Sequence, residues 1–127
     1  MESIPFYRIA GDLEDAGLIW QPEIGDEVSE KKRPERISVL VDPQGMSPDQ
    51  LRLVYLWLPT VEQLVVQLEA RQAILFHAGL EISEQRYCYR TVVRAPVGQF
   101  EGAALTLRSA IALALRDLLL TGNNAIN

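Results

Sequence analysis

The sequence contains few of the residues that most often carry catalysis or bind metals. Cys88 is its only cysteine and His77 its only histidine. A single cysteine excludes a disulfide within the chain and any two-cysteine metal or redox site, and it is typical of a reducing compartment. No HExxH, GxxxxGK[ST], GxGxxG or GxSxG motif occurs, and the acids show no metal-ligand spacing. We therefore expect no metal and no cofactor, and enzyme activity is disfavoured.

Long apolar runs and an N-terminal targeting segment are also missing. The longest apolar segment, within residues 103–120, is interrupted by Arg108, Arg116 and Asp117, whereas a membrane span needs about 18 uninterrupted apolar residues. The first residues, MESIPFYRIAG, lack a basic region followed by an apolar one. We expect a cytoplasmic protein that is neither secreted nor inserted in a membrane.

Positive charge is scarce in the N-terminal part of the chain. Residues 1–30 hold eight acids and one base, Arg8, whereas residues 73–127 hold five arginines and four acids. Affinity for nucleic acid comes largely from lysines and arginines that displace counterions, so this acidic chain is not expected to bind nucleic acid. An alternative function is that residues 12–30 mimic nucleic acid and bind a basic partner protein.

The apolar pattern predicts an α+β fold in one domain that spans residues 1–127. We expect a two-layer sandwich in which two main helices cover one face of an antiparallel or mixed sheet, with a short N-terminal helix. Ser3 is the expected cap of that helix and Gly17 its expected end. The expected strands lie near 37–42, 51–58, 74–81 and 86–94, and the expected main helices near 60–72 and 103–120. Thr60 and Gln63 form a capping box for the first of these helices. The charged run at 31–36 is interpreted as a solvated loop.

The segments 74–82 and 86–93 are rich in β-branched and aromatic residues and predict an antiparallel hairpin centred on Glu84. In that register His77 lies opposite Thr91, and Cys88 lies opposite Leu80. The histidine and the cysteine are then not expected to touch, and both are interpreted as structural residues.

Arg86, Arg90 and Arg94 alternate along the second strand of this hairpin and therefore share one face with Cys88. A row of arginines on an open face can bind phosphates or carboxylates bidentately. The same row is also typical of a solvated or internally paired face. Binding of a small molecule or anion, with or without an enzyme activity that leaves little sequence signal, is thus an alternative function. His77 joins such a site only if the register differs by one residue.

The C-terminal helix carries apolar residues beyond its main stripe, because Leu105, Leu113 and Leu120 lie on its opposite side. Either the N-terminal segment or a second subunit must cover them, since large exposed apolar patches are uncommon on monomers. We therefore expect a non-catalytic interaction or accessory module that forms a dimer or another homo-oligomer, or that binds a further protein partner.

Two short motifs, WQPEIGD at 20–26 and YLWLPTVEQL at 55–64, resemble a group of small bacterial and phage-associated proteins of unassigned activity. In that group a Trp-x-Pro-x-x-Gly-Asp turn precedes a strand that ends in Trp-Leu-Pro-Thr and leads into a helix. The resemblance covers residues 10–121 and implies a shared fold and a bacterial or prophage origin. It implies no activity and no site. By physical reasoning alone, Trp20 and Trp57 are core aromatics and Gly25 permits a tight turn.

Overall fold

The computed structural model describes residues 3–126, without the side chains of residue 83 and of residues 123–126. Four helices are present in this part of the chain: α1 Phe6–Asp15, α2 Pro48–Val54, α3 Val61–Ala70 and α4 Leu107–Ile126. Six strands accompany them: β1 Glu27–Glu30, β2 Arg33–Val39, β3 Tyr55–Trp57, β4 Ile74–Ser83, β5 Arg86–Ala95 and β6 Gly98–Ala104. None of the helices is long and apolar enough to cross a membrane.

The strands form two antiparallel sheets of three strands each. The first has the order β2-β1-β3 and the second the order β4-β5-β6. The α+β class predicted from the sequence is therefore correct, but the single sheet of about four strands is wrong. The two sheets share one apolar core, because buried residues of both, such as Val28 and Val93, belong to one cluster with residues of α1, α3 and α4.

The predicted strand over 51–58 is helical in its first half. Ser47 caps α2: its Oγ accepts a hydrogen bond from the Gln50 N–H at 3.2 Å, and its own N–H donates to Gln50 Oε1 at 2.8 Å. Pro48 occupies the first turn, where its missing N–H costs nothing. This capping box starts a helix that continues to Val54, and only β3, Tyr55–Trp57, is extended.

The charged run at 31–36 is not a solvated loop, because β2 begins at Arg33 and continues to Val39. This strand pairs with β1 and lies at the sheet edge. Pro34 and the neighbouring charges are tolerated there, since an edge strand leaves one row of backbone groups in solvent. The predicted strand at 37–42 is thus shifted towards the N-terminus.

Helix α3 follows the sequence prediction closely. Thr60 Oγ1 accepts from the Gln63 N–H at 3.2 Å, and the Thr60 N–H donates to Gln63 Oε1 at 2.9 Å. Leu64 and Leu68 are buried on its inner face. We expect Thr60→Ala to lower the free energy of unfolding by about 1 kcal/mol, because the Gln63 N–H loses the side-chain oxygen that accepts its hydrogen bond. Urea denaturation measures the loss. If Thr60→Ala lowers the free energy of unfolding no more than Glu62→Ala, a substitution at an exposed position of the same helix, the prediction is contradicted.

Helix α1 also lies where the sequence places it, although its start differs. Its N-cap is Pro5, without a side-chain hydrogen bond, so the predicted cap at Ser3 is wrong. Gly17, with φ of 107°, ends the helix as expected, because glycine enters the left-handed region without strain.

Helix α4 lies at the centre of the molecule instead of on the outside of one layer. It packs on β5 and β6 of the second sheet, on α1 and on α3. Its residues Ala110, Ile111, Ala112, Ala114 and Leu115 are all at most 1% exposed. A helix enclosed by several elements must be apolar on more than one face, which explains the surplus of leucines and alanines in its sequence.

Arg108 of α4 connects this helix to the first sheet. Its guanidinium donates to the carbonyl oxygens of Pro59 at 2.7 Å and Leu58 at 2.6 Å, and it pairs with Glu27 at 3.2 Å. It also stacks over the Phe6 ring of α1, 4.0 Å from the centroid. One side chain therefore holds three elements together.

Candidate functional site

The β4–β5 hairpin is present, but its register differs by one residue from the prediction. Residues Glu84 and Gln85 form the turn, both with positive φ. Beyond a bulge near Phe76, His77 lies opposite Val92, and Cys88 lies opposite Glu81. The cause is local: a two-residue turn replaces the predicted three-residue turn, and turn length determines hairpin register.

This register places His77 on the same face as the arginine row, because residues opposite each other across a ladder share a face. We call this surface the arginine face. It comprises Phe76, His77, Gly79 and Glu81 of β4, Arg86, Cys88, Arg90, Val92 and Arg94 of β5, and Gln99, Glu101 and Ala103 of β6.

Most of the charge on the arginine face is paired within it. Arg90 bonds Glu101 at 2.9 Å and lies 3.9 Å from Glu81, and these two carboxylates raise its pKa. Arg94 stacks over the Phe76 ring at 3.5 Å and donates to Gln99 Oε1 at 3.3 Å.

The Arg86 side chain makes no hydrogen bond or ion pair with the described side chains and backbone. Five concavities lie on the described chain, and none of the five is lined by an arginine of this face. The geometry therefore favours an internally paired surface over an anion pocket.

His77 and Cys88 are not in a catalytic arrangement. His77 Nε2 lies 3.5 Å from Glu81 Oε1 across Gly79. Glu81 is also the residue opposite Cys88, so a carboxylate lies between the histidine and the thiol.

The opposite face of the hairpin is apolar and only partly covered. Near the base of the hairpin, Thr91 and Val93 are fully buried, and this end packs on α4. Strand β6 ends at Ala104, opposite Tyr89, so the hairpin continues beyond it as two strands. On this extension Leu80, Ile82 and Tyr87 are 54%, 67% and 61% exposed. We call residues 80–89 the hairpin arm.

Strand β4 is an edge of its sheet over its full length of ten residues. It pairs only with β5, and its outer backbone groups bond no other backbone group within residues 3–126. The sequence does not identify β4 as an edge strand, because edge and central strands have similar local patterns. Leu80 and Ile82 are exposed at alternate positions. Combined with the correct register, this pattern indicates an edge strand.

The three leucines predicted as an interface do not form one patch. Leu105 lies in the connection before α4 and is 44% exposed, and Leu120 near the other end of the helix is 46% exposed. Leu113 lies between them and is half-buried, and Leu105 and Leu113 both line a small cavity with Ile4 and Ile9 of the N-terminal segment, whereas Leu120 does not. The N-terminal segment is therefore the cover for the central leucine.

The two motifs of the resemblance meet at Asp26, which is 6% exposed. Its Oδ2 accepts from Trp20 Nε1 at 2.8 Å and from the Glu23 N–H at 3.0 Å, and its Oδ1 accepts from Gln63 Nε2 at 2.8 Å. Because Gln63 also belongs to the capping box of α3, the network connects the 20–26 turn to the helix. Three donors satisfy the carboxylate without a cation, so the motifs act as structural elements.

The acids of residues 12–30 are mostly engaged inside the molecule. Glu14 pairs with Lys31 at 2.7 Å, Asp12 with Arg116 at 3.5 Å, and Glu27 with Arg108. Together with the buried Asp26, four of the seven acids in this segment have partners within the described chain. This pairing weighs against mimicry of nucleic acid, which needs a continuous free row of anions.

Residues 3–126 hold no group of three His, Cys, Asp or Glu side chains arranged to bind a metal. Comparison of the chain with protein-family models, with curated proteins and with solved structures finds no match.

Proposed function

We propose that this chain is a non-catalytic interaction module that self-associates through the outer edge of β4. The observation that carries the proposal is the edge itself: ten residues without a second neighbouring strand, flanked by the exposed side chains of Leu80 and Ile82. A long apolar edge is a template for another strand, and natural proteins protect such edges with charges or prolines unless they use them.

A second copy of the chain fits this edge better than an arbitrary strand does. In an antiparallel pairing about Gly79, His77 of one copy lies opposite Glu81 of the other, and Ala78 lies opposite Leu80. The pairing therefore places a hydrogen-bond donor, the imidazole, opposite an acceptor, the carboxylate, on the arginine face, and it is apolar on the other face. A twofold axis repeats each favourable contact, which is a requirement for a closed dimer. Glycine on the axis lets the strands approach closely.

The self-association is measured by light scattering over a concentration series. We expect Leu80→Lys to weaken the dimer at least tenfold, because a lysine in the middle of an edge opposes strand pairing. The fold should persist, since Leu80 is more than half exposed. Leu120→Lys is the matched control: it changes an equally exposed leucine of α4 and should leave the dimer intact.

Crosslinking tests the register. In a Cys88→Ser background, Gly79→Cys should form a disulfide dimer under mild oxidant, because paired positions on the axis bring their Cβ atoms close to disulfide distance. Ala103→Cys on β6, at the other edge of the same face, should not. A strict monomer at high micromolar concentration, or a dimer that only Leu120→Lys dissociates, would overturn the proposal.

A further inference from the structure

A groove of about 340 Å³ lies away from the β4 edge, between the end of α1, the end of α3, the β5–β6 turn and the last turns of α4. Its size is within the range of small-molecule sites. Its apolar wall includes Ala95, Pro96, Val97, Leu118 and Leu119. Leu118 and Leu119 are more than nine-tenths buried, so the floor belongs to the packed core.

Arg71 is the one charged side chain that lines the groove in the part of the chain the structure describes. Its Nη1 donates to the Gln67 carbonyl oxygen at 2.8 Å and to Gln67 Oε1 at 2.9 Å, and these contacts orient the guanidinium. No carboxylate of residues 3–126 lies within ion-pair distance of it. Partial burial lowers the pKa of Arg71, and no acid opposes that effect.

An oriented guanidinium without an acid partner, at an apolar wall, is complementary to a particular ligand class. Its remaining N–H groups can bond a carboxylate, and this interaction strengthens where water is excluded. A phosphate dianion would need further cations or backbone donors, and the wall offers apolar side chains instead. A cation would be repelled.

We propose that this groove binds a small monocarboxylate with an apolar tail, the carboxylate on Arg71 and the tail along Val97, Leu118 and Leu119. The site does not depend on the pairing of β4, because the two surfaces share no residue.

Octanoate is the probe, and its binding to the full chain is measured by calorimetry and by backbone amide shifts. We expect saturable binding with amide shifts centred on Ala95, Val97, Leu118 and Leu119. Octanol and octylamine, which keep the tail and change the head group, should bind at least tenfold more weakly. Equal binding of octanol, or no binding of octanoate at millimolar concentration, would overturn the proposal on the unaltered protein.

Variants test the role of Arg71 directly. Arg71→Gln should weaken octanoate binding about tenfold or more, since a charge-assisted hydrogen bond is lost, and Arg71→Lys should have an intermediate effect. Arg86→Gln makes the same charge change on the arginine face and should bind like the unaltered chain. If Arg71→Gln and Arg86→Gln weaken binding equally, the effect is one of net charge and the proposed site is wrong.

Discussion

Gly102→Ala is expected to lower the free energy of unfolding by about 2 to 3 kcal/mol, as overpacking of a core does. A Cβ at this position would lie deep inside the van der Waals radius of the Ala110 carbonyl oxygen and 3.0 Å from the Ala114 nitrogen. Both atoms belong to the backbone of α4, which is enclosed on several sides and cannot move aside cheaply. Urea denaturation of the variant measures the loss.

Gly11→Ala is the matched control for this prediction and should have the opposite sign. Gly11 lies inside α1, and a Cβ there meets nothing within 4 Å. Alanine in a helix interior should stabilise the fold by about 0.5 to 1 kcal/mol. A Gly102 variant as stable as the unaltered chain would show that β6 and α4 do not approach as closely as described.

Asp26→Asn is expected to lower the free energy of unfolding by about 2 kcal/mol. The amide NH2 replaces one carboxylate oxygen, so an N–H then faces a hydrogen-bond donor. Both carboxylate oxygens of Asp26 accept hydrogen bonds, from Trp20, Glu23 and Gln63, in a nearly water-free environment. Gln63→Glu alone should cost at least as much, since it places a second carboxylate against Asp26. Thermal or urea unfolding measures each loss.

The combination of these two changes is the sharper test. With Asp26→Asn and Gln63→Glu together, the new amide can donate to the new carboxylate, which still accepts from the Thr60 N–H. We expect most of the stability to return, with a coupling of about 2 kcal/mol between the sites. Strictly additive losses would contradict the contact between Asp26 and Gln63.

The capping box of Ser47 and Gln50 is readable in the sequence, yet the segment after it was predicted as a strand. Thr60 and Gln63 predict the start of α3, and Ser47 and Gln50 start α2 in the same way. The apolar run at 51–58 nevertheless favoured a strand, because both of its faces are apolar and periodicity does not separate a buried strand from a short buried helix. The local capping signal was stronger than the composition of the run.

The composition of the arginine face was mispredicted because the hairpin register was wrong by one residue. Hairpin strands at 74–82 and 86–93 were predictable from their composition, but a one-residue difference in the turn moved His77 to the arginine face. Side chains alternate across a strand, so one residue of register decides which groups share a surface. The arginine row itself was correct, since alternation within β5 needs no partner.

The chain by itself determined the α+β class, the start of α3, the end of α1 and the arginine row, because caps and strand alternation depend on residues close together in the sequence. Only the tertiary structure decided that α4 is central, that Asp26 accepts from Gln63, and that β4 is an edge. The tertiary structure also places Arg71 beside the apolar wall of the groove. These features join groups many residues apart, and contacts at such separations depend on packing that no local pattern encodes.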